Sequence, residues 1–223
     1  MTTAQGDGGR RRSEREQLSR DDWLDAAAGL IVEGGFDAVR ILPLARRLGV
    51  SRGSFYWHFR DHQDLVSSFL QRWQQRRMAE LELLTPAGDD LRAETHRILR
   101  LLLGESGRSV RRMRVELAVR DLARRDDEAA RAVAAVDEAR IRHNQNLLLR
   151  SADDPEGARD LSLLLYVATI GAQLVMAGPA GDEATLARLE RLIAGLVSRD
   201  GPAALQWCGE EGAPDGTEGY GDG

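Results

Sequence analysis

Lysine is absent: all 31 basic residues are arginine, a bias that by itself assigns no function. Cysteine is nearly absent, and Cys208 alone excludes an internal disulfide or a multi-cysteine metal site. The four histidines are His58, His62, His96 and His143, and no pair has the spacing of a metal motif such as H-E-x-x-H. No uninterrupted apolar run approaches the roughly 18 to 20 residues that span a bilayer. The β-branched alternation that marks strands is missing too. Met1 to Gln17 is polar and arginine-bearing, without the apolar core of a signal peptide. These absences predict a cytoplasmic, all-α protein with no cofactor, no metal and no membrane partner.

What is present is an ordinary globular composition. A chain of 223 residues can hold one or two domains with a sizeable core, and 42% of it is apolar. The formal net charge of −5 argues at first against a polyanionic partner. Distribution matters more than the total. Asp200, Glu210, Glu211, Asp215, Glu218 and Asp222 lie in residues 200–223 with no basic residue, and without that segment the balance moves from −5 to +1. Residues 10–77 hold thirteen arginines against nine acids, a net of +4.

The order of elements follows from periodicity and breakers. Residues 1–18, with Arg10, Arg11, Arg12 and Arg15, read as a disordered basic arm, either a solvated tail or a phosphate contact. Ser19 followed by Asp21 and Asp22 is a helix start, and Trp23, Ala26, Ala27, Leu30 and Ile31 follow at helical spacing until Gly34-Gly35. A short helix over 41–48 tolerates Pro43 in its first turn, where no hydrogen bond is lost. Gly49-Val50 turns the chain, Ser51 caps a third helix through about His58, and a fourth runs from His62 towards Leu84. Beyond the break at Pro86 to Gly88, helices are predicted near 90–104, 109–124, 127–150, 156–178 and 183–198, about nine in all. Residues 200–223 are acidic and Gly-rich and read as disordered, with Trp207-Cys208 a small apolar spot within them.

Two short helices around a tight glycine turn suit a helix-turn-helix, whose second helix can lie in a major groove. Leu44, Ala45 and Leu48 pack one helix, and Val50, Phe55 and Phe59 the turn and the next. Arg52, Gly53 and Ser54 then occupy the exposed first turn, where Gly53 does not hold the backbone away from DNA. Tyr56, Trp57 and His58 offer donors to phosphates. A purely structural helical hairpin would use the same packing residues.

This segment resembles the TetR family of bacterial regulators. The resemblance rests on Gly35, Ala38, Leu44-Ala45, Gly49-Val50-Ser51, Gly53, Phe55-Tyr56, His58-Phe59 and Leu65 at fixed spacing, over about Asp21 to Leu65. It implies that Tyr56, His58 and His62 touch phosphates, and that Arg52, Ser54 and Trp57 face bases, where arginine pairs bidentately with guanine. Two positions depart from the pattern. Arg40 stands where Thr or Ser usually caps the second helix, losing about 1 kcal/mol of cap energy but able to reach a phosphate. His62 stands where Lys or Arg is usual, and a neutral imidazole attracts phosphate less. Arg46 and Arg47 fit backbone contacts or a solvated charged face equally well.

The expected domains are the arm at 1–18, a three-helix DNA-binding domain at 19–64, an effector and dimerisation domain at 65–199, and the tail at 200–223. Tethering two half-site readers multiplies affinity, so the last two long helices are the natural dimer surface. They present Leu161, Leu164, Ala168, Gly171 and Ala172, then Leu186, Leu189, Ile193 and Leu196, completing a four-helix bundle with a second copy. The same faces would also serve the monomer's own core. The resemblance further implies a small-molecule pocket, with Trp73, His96, Met113, Glu116, His143, Tyr166, Gln173 and Met176 as candidates and a largely apolar, uncharged effector expected. The function so implied is a homodimeric repressor released from a palindromic double-stranded operator by that effector. Two alternatives are an architectural DNA binder without an effector, and an enzyme using Glu116 and His143 as an acid–base pair. For the enzyme, nothing locates a nucleophile beside them, so none is expected.

Overall fold

Ser19 fixes the start of α1 (Arg20–Gly34). Its hydroxyl accepts from the Asp22 amide at 3.2 Å, and the Asp22 carboxylate accepts from the Ser19 amide at 2.7 Å, a reciprocal capping box. In this computed structural model the described residues are 18–84, 93, 97, 107–149, 155–177 and 182–198. The predicted helix near 90–104 lies outside them except for Ala93 and Arg97, both helical, as do the basic arm up to Gln17 and the acidic tail from residue 200.

α1 ends at Gly35, whose φ of 69° is open to glycine without strain. A single 3₁₀ turn, Phe36–Ala38, leads into α2 (Ile41–Arg47) and α3 (Arg52–Phe55), which are joined by Gly49 at a φ of 68°. α3 is shorter than the helix predicted through His58. Tyr56 and His58 donate to carbonyls three residues back, so the chain tightens into a turn over 56–58 before Phe59. α4 (His62–Leu83) opens on Asp61, whose carboxylate accepts from the Asp64 amide at 2.8 Å. α5 (Gly107–Leu122), α6 (Asp127–Leu148), α7 (Pro155–Ala177) and α8 (Glu183–Ser198) complete the described helices, and no strand occurs among the described residues.

α6 packs along both α4 and α7, α5 lies against α1, α6 and α7, and α8 covers α7. Two apolar cores result. The first joins Trp23, Phe36, Leu44, Phe55, Phe59, Leu65, Phe69 and Trp73 to Val119, Ala129, Ala132 and Val136. The second holds Met113, Leu148, Leu161, Leu165, Ala172, Met176, Leu186 and Ile193. The boundary expected at 64/65 is therefore not a boundary in the core. α4 crosses it as one helix, and the N-terminal helices share their core with α5 and α6.

α7 differs from expectation in another respect. Pro155–Met176 reaches a length and a mean hydropathy, 1.3, sufficient to cross a membrane, although polar residues interrupt it. It lies among α5, α6 and α8 and supplies Ala158, Leu161, Leu165, Ala172 and Met176 to the second core. Ser162, buried within it, donates to the Ile141 carbonyl of α6 at 2.9 Å, so the hydroxyl is satisfied inside the protein.

Candidate nucleic-acid interface and neighbouring sites

α3 is short, so its orientation depends on what lies beneath it. Phe55 is fully buried. It stacks on Phe59 with centroids 5.3 Å apart and meets the edge of Trp23 of α1 at 5.5 Å. Arg20 of α1 lies over the Phe59 ring at 4.6 Å and donates to Asp64 of α4 at 3.0 Å. The backbone amide of Arg60 donates to the Asp64 carboxylate and, with the nearby arginines, holds its pKa below the usual aspartate value. Aromatic and charged contacts thus clamp the recognition turn from three sides.

Above this base, the first turn is open. Arg40, Arg46, Ser51, Arg52 and Gly53 are exposed, Ser54 and His58 half-buried. Trp57 is 88% exposed and Tyr56 50%. Arg52 donates to the Tyr56 hydroxyl at 3.2 Å, one helical turn away, leaving its other guanidinium N–H groups for a base edge or phosphate. Ser51 occupies the N-cap position, but its hydroxyl bonds the Ser54 hydroxyl at 3.3 Å rather than a backbone amide. Arg40, at the N-cap of α2, makes no side-chain cap bond, in keeping with the departure read from the sequence.

Two residues expected at the DNA backbone also have partners within the protein. His62 Nε2 donates to the Val39 carbonyl at 2.6 Å, tethering α4 to the segment before α2. Arg47 lies across Gly29, where an added Cβ would come within 2.9 Å of its guanidinium, and donates to Glu33 at 2.9 Å. It serves the α1–α2 packing, although it is exposed, as Arg46 is.

Among the described residues, the candidate effector residues lie in several settings. His96 lies outside the described residues. Met113 and Met176 sit in the second core, and Gln173 is buried on α7. Glu116 is 2% exposed and is held by Arg140 at 2.7 and 3.0 Å and by Arg120 at 2.9 Å. Burial alone would raise its pKa, but the Arg140 hydrogen bonds and the charges of Arg140, Arg120 and Arg77 hold it below the ordinary glutamate value. Glu116 is therefore held as an anion by its arginine partners. His143 is half-buried on α6. Tyr166 joins the edge of this network. Burial, then its hydrogen bond with Asp137, raises its pKa.

Trp73 stands elsewhere, in a cleft of about 620 Å³ between α1, α4 and α5. Arg72, Arg76, Arg77, Arg111 and Arg112 line the same cleft. The lining there is charged, whereas the effector expected from the sequence is largely apolar and uncharged. Sequence reasoning missed these arginines, although Arg72 and Arg76 share a face of α4 at i,i+4, as do Trp73 and Arg77.

The expected dimer face is largely turned inward. Leu161, Ala172, Leu186 and Ile193 are buried in the second core, with Leu164, Ala168 and Leu189 packed against it. Gly171 is exposed. The described residues of Leu196 are limited to its helical backbone. Among the described side chains of these helices, Leu163, Val167, Leu174 and Val175 of α7 and Leu192 of α8 are large, apolar and exposed.

Residues 24–69 match the family of bacterial regulatory proteins, tetR family. The HTH-type transcriptional regulator AcrR of Shigella flexneri is 34% identical over 76 residues, which span 33% of this chain and 34% of that protein, so the match covers about a third of the relative's length. Over the whole fold, a transcriptional regulator from Rhodococcus sp. superposes with a TM-score of 0.72 at 19% identity, covering 82% of this chain and 98% of that one. A TetR transcription regulator from Haloarcula marismortui gives 0.67 at 16% identity, covering 82% and 97%. A regulator from Saccharomonospora viridis, crystallised in complex with choline, gives 0.67 at 19%, covering 82% and 96%. The helix-turn-helix segment over residues 24–69 is thus similar to the tetR family of bacterial regulatory proteins, and the fold is that of the solved regulators.

Proposed function

We propose that the chain is a homodimeric transcriptional repressor that binds a palindromic operator through α3 and leaves it when a small molecule occupies the helical domain. The observation that carries the DNA-binding part is the contrast within one turn: Phe55 fully buried, with Arg52, Tyr56 and Trp57 exposed beside it. Side chains on a rigid base can read base edges in the groove, while phosphate contacts set register. Arg52, Ser54 and Trp57 are assigned to bases. Tyr56, His58, Arg40 and Arg46, with the exposed Ser51 and Gly53 allowing close approach, are assigned to the backbone.

The dimer is supported by the apolar face of Leu163, Val167, Leu174, Val175 and Leu192. Apolar patches of this kind on adjacent helices mark association surfaces. Gly171 lies among them, and a Cβ there would meet nothing within 4 Å, so its lack of a side chain serves no packing within the monomer. The face expected from the sequence is replaced by this one, on the same two helices. The response to a small molecule is supported by the cleft at Trp73 and, by analogy only, by the choline bound to the Saccharomonospora viridis regulator.

Selection of duplexes from a random pool by the full chain, at a stated salt concentration, tests this reading. Enrichment of a two-fold symmetric sequence is the expected result. A folded dimer that enriches no sequence would overturn it.

A further inference from the structure

We infer that the cleft between α1, α4 and α5 binds an amphipathic organic anion, a carboxylate on an apolar body. The cleft concentrates arginine. Five guanidinium groups, from Arg72, Arg76, Arg77, Arg111 and Arg112, line the cleft, with Asp25 the acid among its lining residues. Asp21 and Glu80 reach them from its edges. Arg72 bonds Asp21 at 3.2 Å and Asp25 at 2.7 Å, and Arg77 bonds Glu80 at 2.8 Å, while Arg112 and Arg76 approach Glu80 and Asp25 at 3.6 and 3.9 Å. Among the described residues Glu116 adds its charge at Arg77. The side chains of Arg72, Arg77 and Arg112 are only 13%, 10% and 19% exposed, so water does little to screen this concentration of positive charge.

Two orphaned donors give the second, independent observation. Arg77 Nε and Trp73 Nε1 are buried and have no hydrogen-bond partner among the described residues, and both residues line the cleft. Buried donors without acceptors are rare in native proteins and call for an explanation. Burial also holds the Arg77 pKa below the ordinary arginine value, a cost that a bound anion would offset. A carboxylate supplies two acceptor oxygens in the planar geometry that guanidinium recognises. Phe69, Trp73, Ala28 and Val115 supply apolar wall for the rest of the molecule. The volume, about 620 Å³, is that of an ordinary small-molecule site.

The position gives the site a consequence, which rests on the regulator reading proposed above. Arg72 holds the α1 residues Asp21 and Asp25, and Arg111 of α5 donates to the Asp25 carbonyl at 3.1 Å. A ligand carboxylate competes with these acceptors for the same arginines. α1 carries Trp23, which meets Phe55 of the recognition helix edge-on. Occupancy therefore changes the seat of α3, and a ligand that prefers one seat shifts DNA affinity by its differential affinity.

Calorimetric titration of the full chain with 2-naphthoate and with its neutral amide, 2-naphthamide, tests the site without DNA. The expected result is one naphthoate per chain, with the amide at least tenfold weaker. Arg76→Gln, at an exposed arginine, should weaken naphthoate at least threefold with an unchanged melting temperature, and Trp73→Phe should weaken it through loss of the indole donor alone. Equal binding of acid and amide, or affinity unchanged in both variants, would overturn the proposal. Inorganic phosphate binding as tightly as naphthoate would overturn the apolar part of it. Because the titration needs no operator, a failed DNA selection leaves its result standing. A ligand that binds here yet leaves the affinity for selected DNA unchanged would overturn the coupling to α1.

Discussion

At the scale of single residues, Glu116 has the most demanding environment. Its buried carboxylate accepts from Arg120 and Arg140, and Arg120 in turn donates to Asp137 at 2.9 Å. These bonds tie α5 to α6 behind the first core. Glu116→Gln removes the anion and leaves guanidinium groups facing each other in a region with little water. The expected loss is about 3 to 5 kcal/mol, read as a lower denaturation midpoint. The pH dependence has a definite sign. The folded-state pKa of Glu116 lies below its unfolded value, so its stabilisation is complete above the ordinary glutamate range. It is lost as pH falls through the folded value. Acid titration of the variant should lack that part of the transition, and an identical acid profile would contradict the assignment. The sequence offered Glu116 as one candidate among the polar groups of the helical domain. That its partners stand at i+4 on its own helix and on the next helix depends on packing, which periodicity does not reveal.

Among the elements, α4 has the widest role, since one continuous helix runs from the recognition turn to the arginine cleft. Its start depends on Asp61, the side-chain cap for the Asp64 amide. Asp61→Ala should cost about 1 kcal/mol, lowering the melting temperature by a few degrees and loosening the Arg20–Asp64 clamp on the recognition turn. Unchanged thermal stability would show that the cap is dispensable. Helix starts and stops were legible because they are local: Ser19 with Asp22, Gly35 and Gly49 act within a few residues. The length of α3 was not, because the turn over 56–58 is imposed by burying Phe55 and Phe59 against α1 and α4. The tether of His62 to Val39 spans 23 positions of sequence, beyond the reach of motif spacing. The segment resemblance located the recognition turn, Arg52 to His58, since packing residues and exposed residues alternate there at fixed intervals.

In the whole molecule, α7 and α8 close the second core, and in the proposed dimer they also offer a surface to another copy. α7 is apolar on more than one face, with Leu161, Leu163, Leu164 and Leu165 in close succession. Sequence identified the two helices but not which stripe faces inward, a choice settled by contact with α5 and α6. Val167→Glu, at a side chain 55% exposed, should leave helix content intact and convert the dimer to monomer in sedimentation. Operator affinity should fall at least tenfold as the second half-site contact is lost. A dimeric Val167→Glu variant would refute the face. The central claim is that the first turn of α3 reads bases. The most direct test is parallel selection from a random duplex pool by the wild-type chain, Arg52→Ala and Tyr56→Ala under one salt concentration. The account predicts that wild type and Tyr56→Ala enrich the same palindrome, the latter more weakly, while Arg52→Ala loses preference at a defined position in each half-site. If all three chains enrich one motif with equal preference at every position, α3 does not read the operator through Arg52 and the account is contradicted.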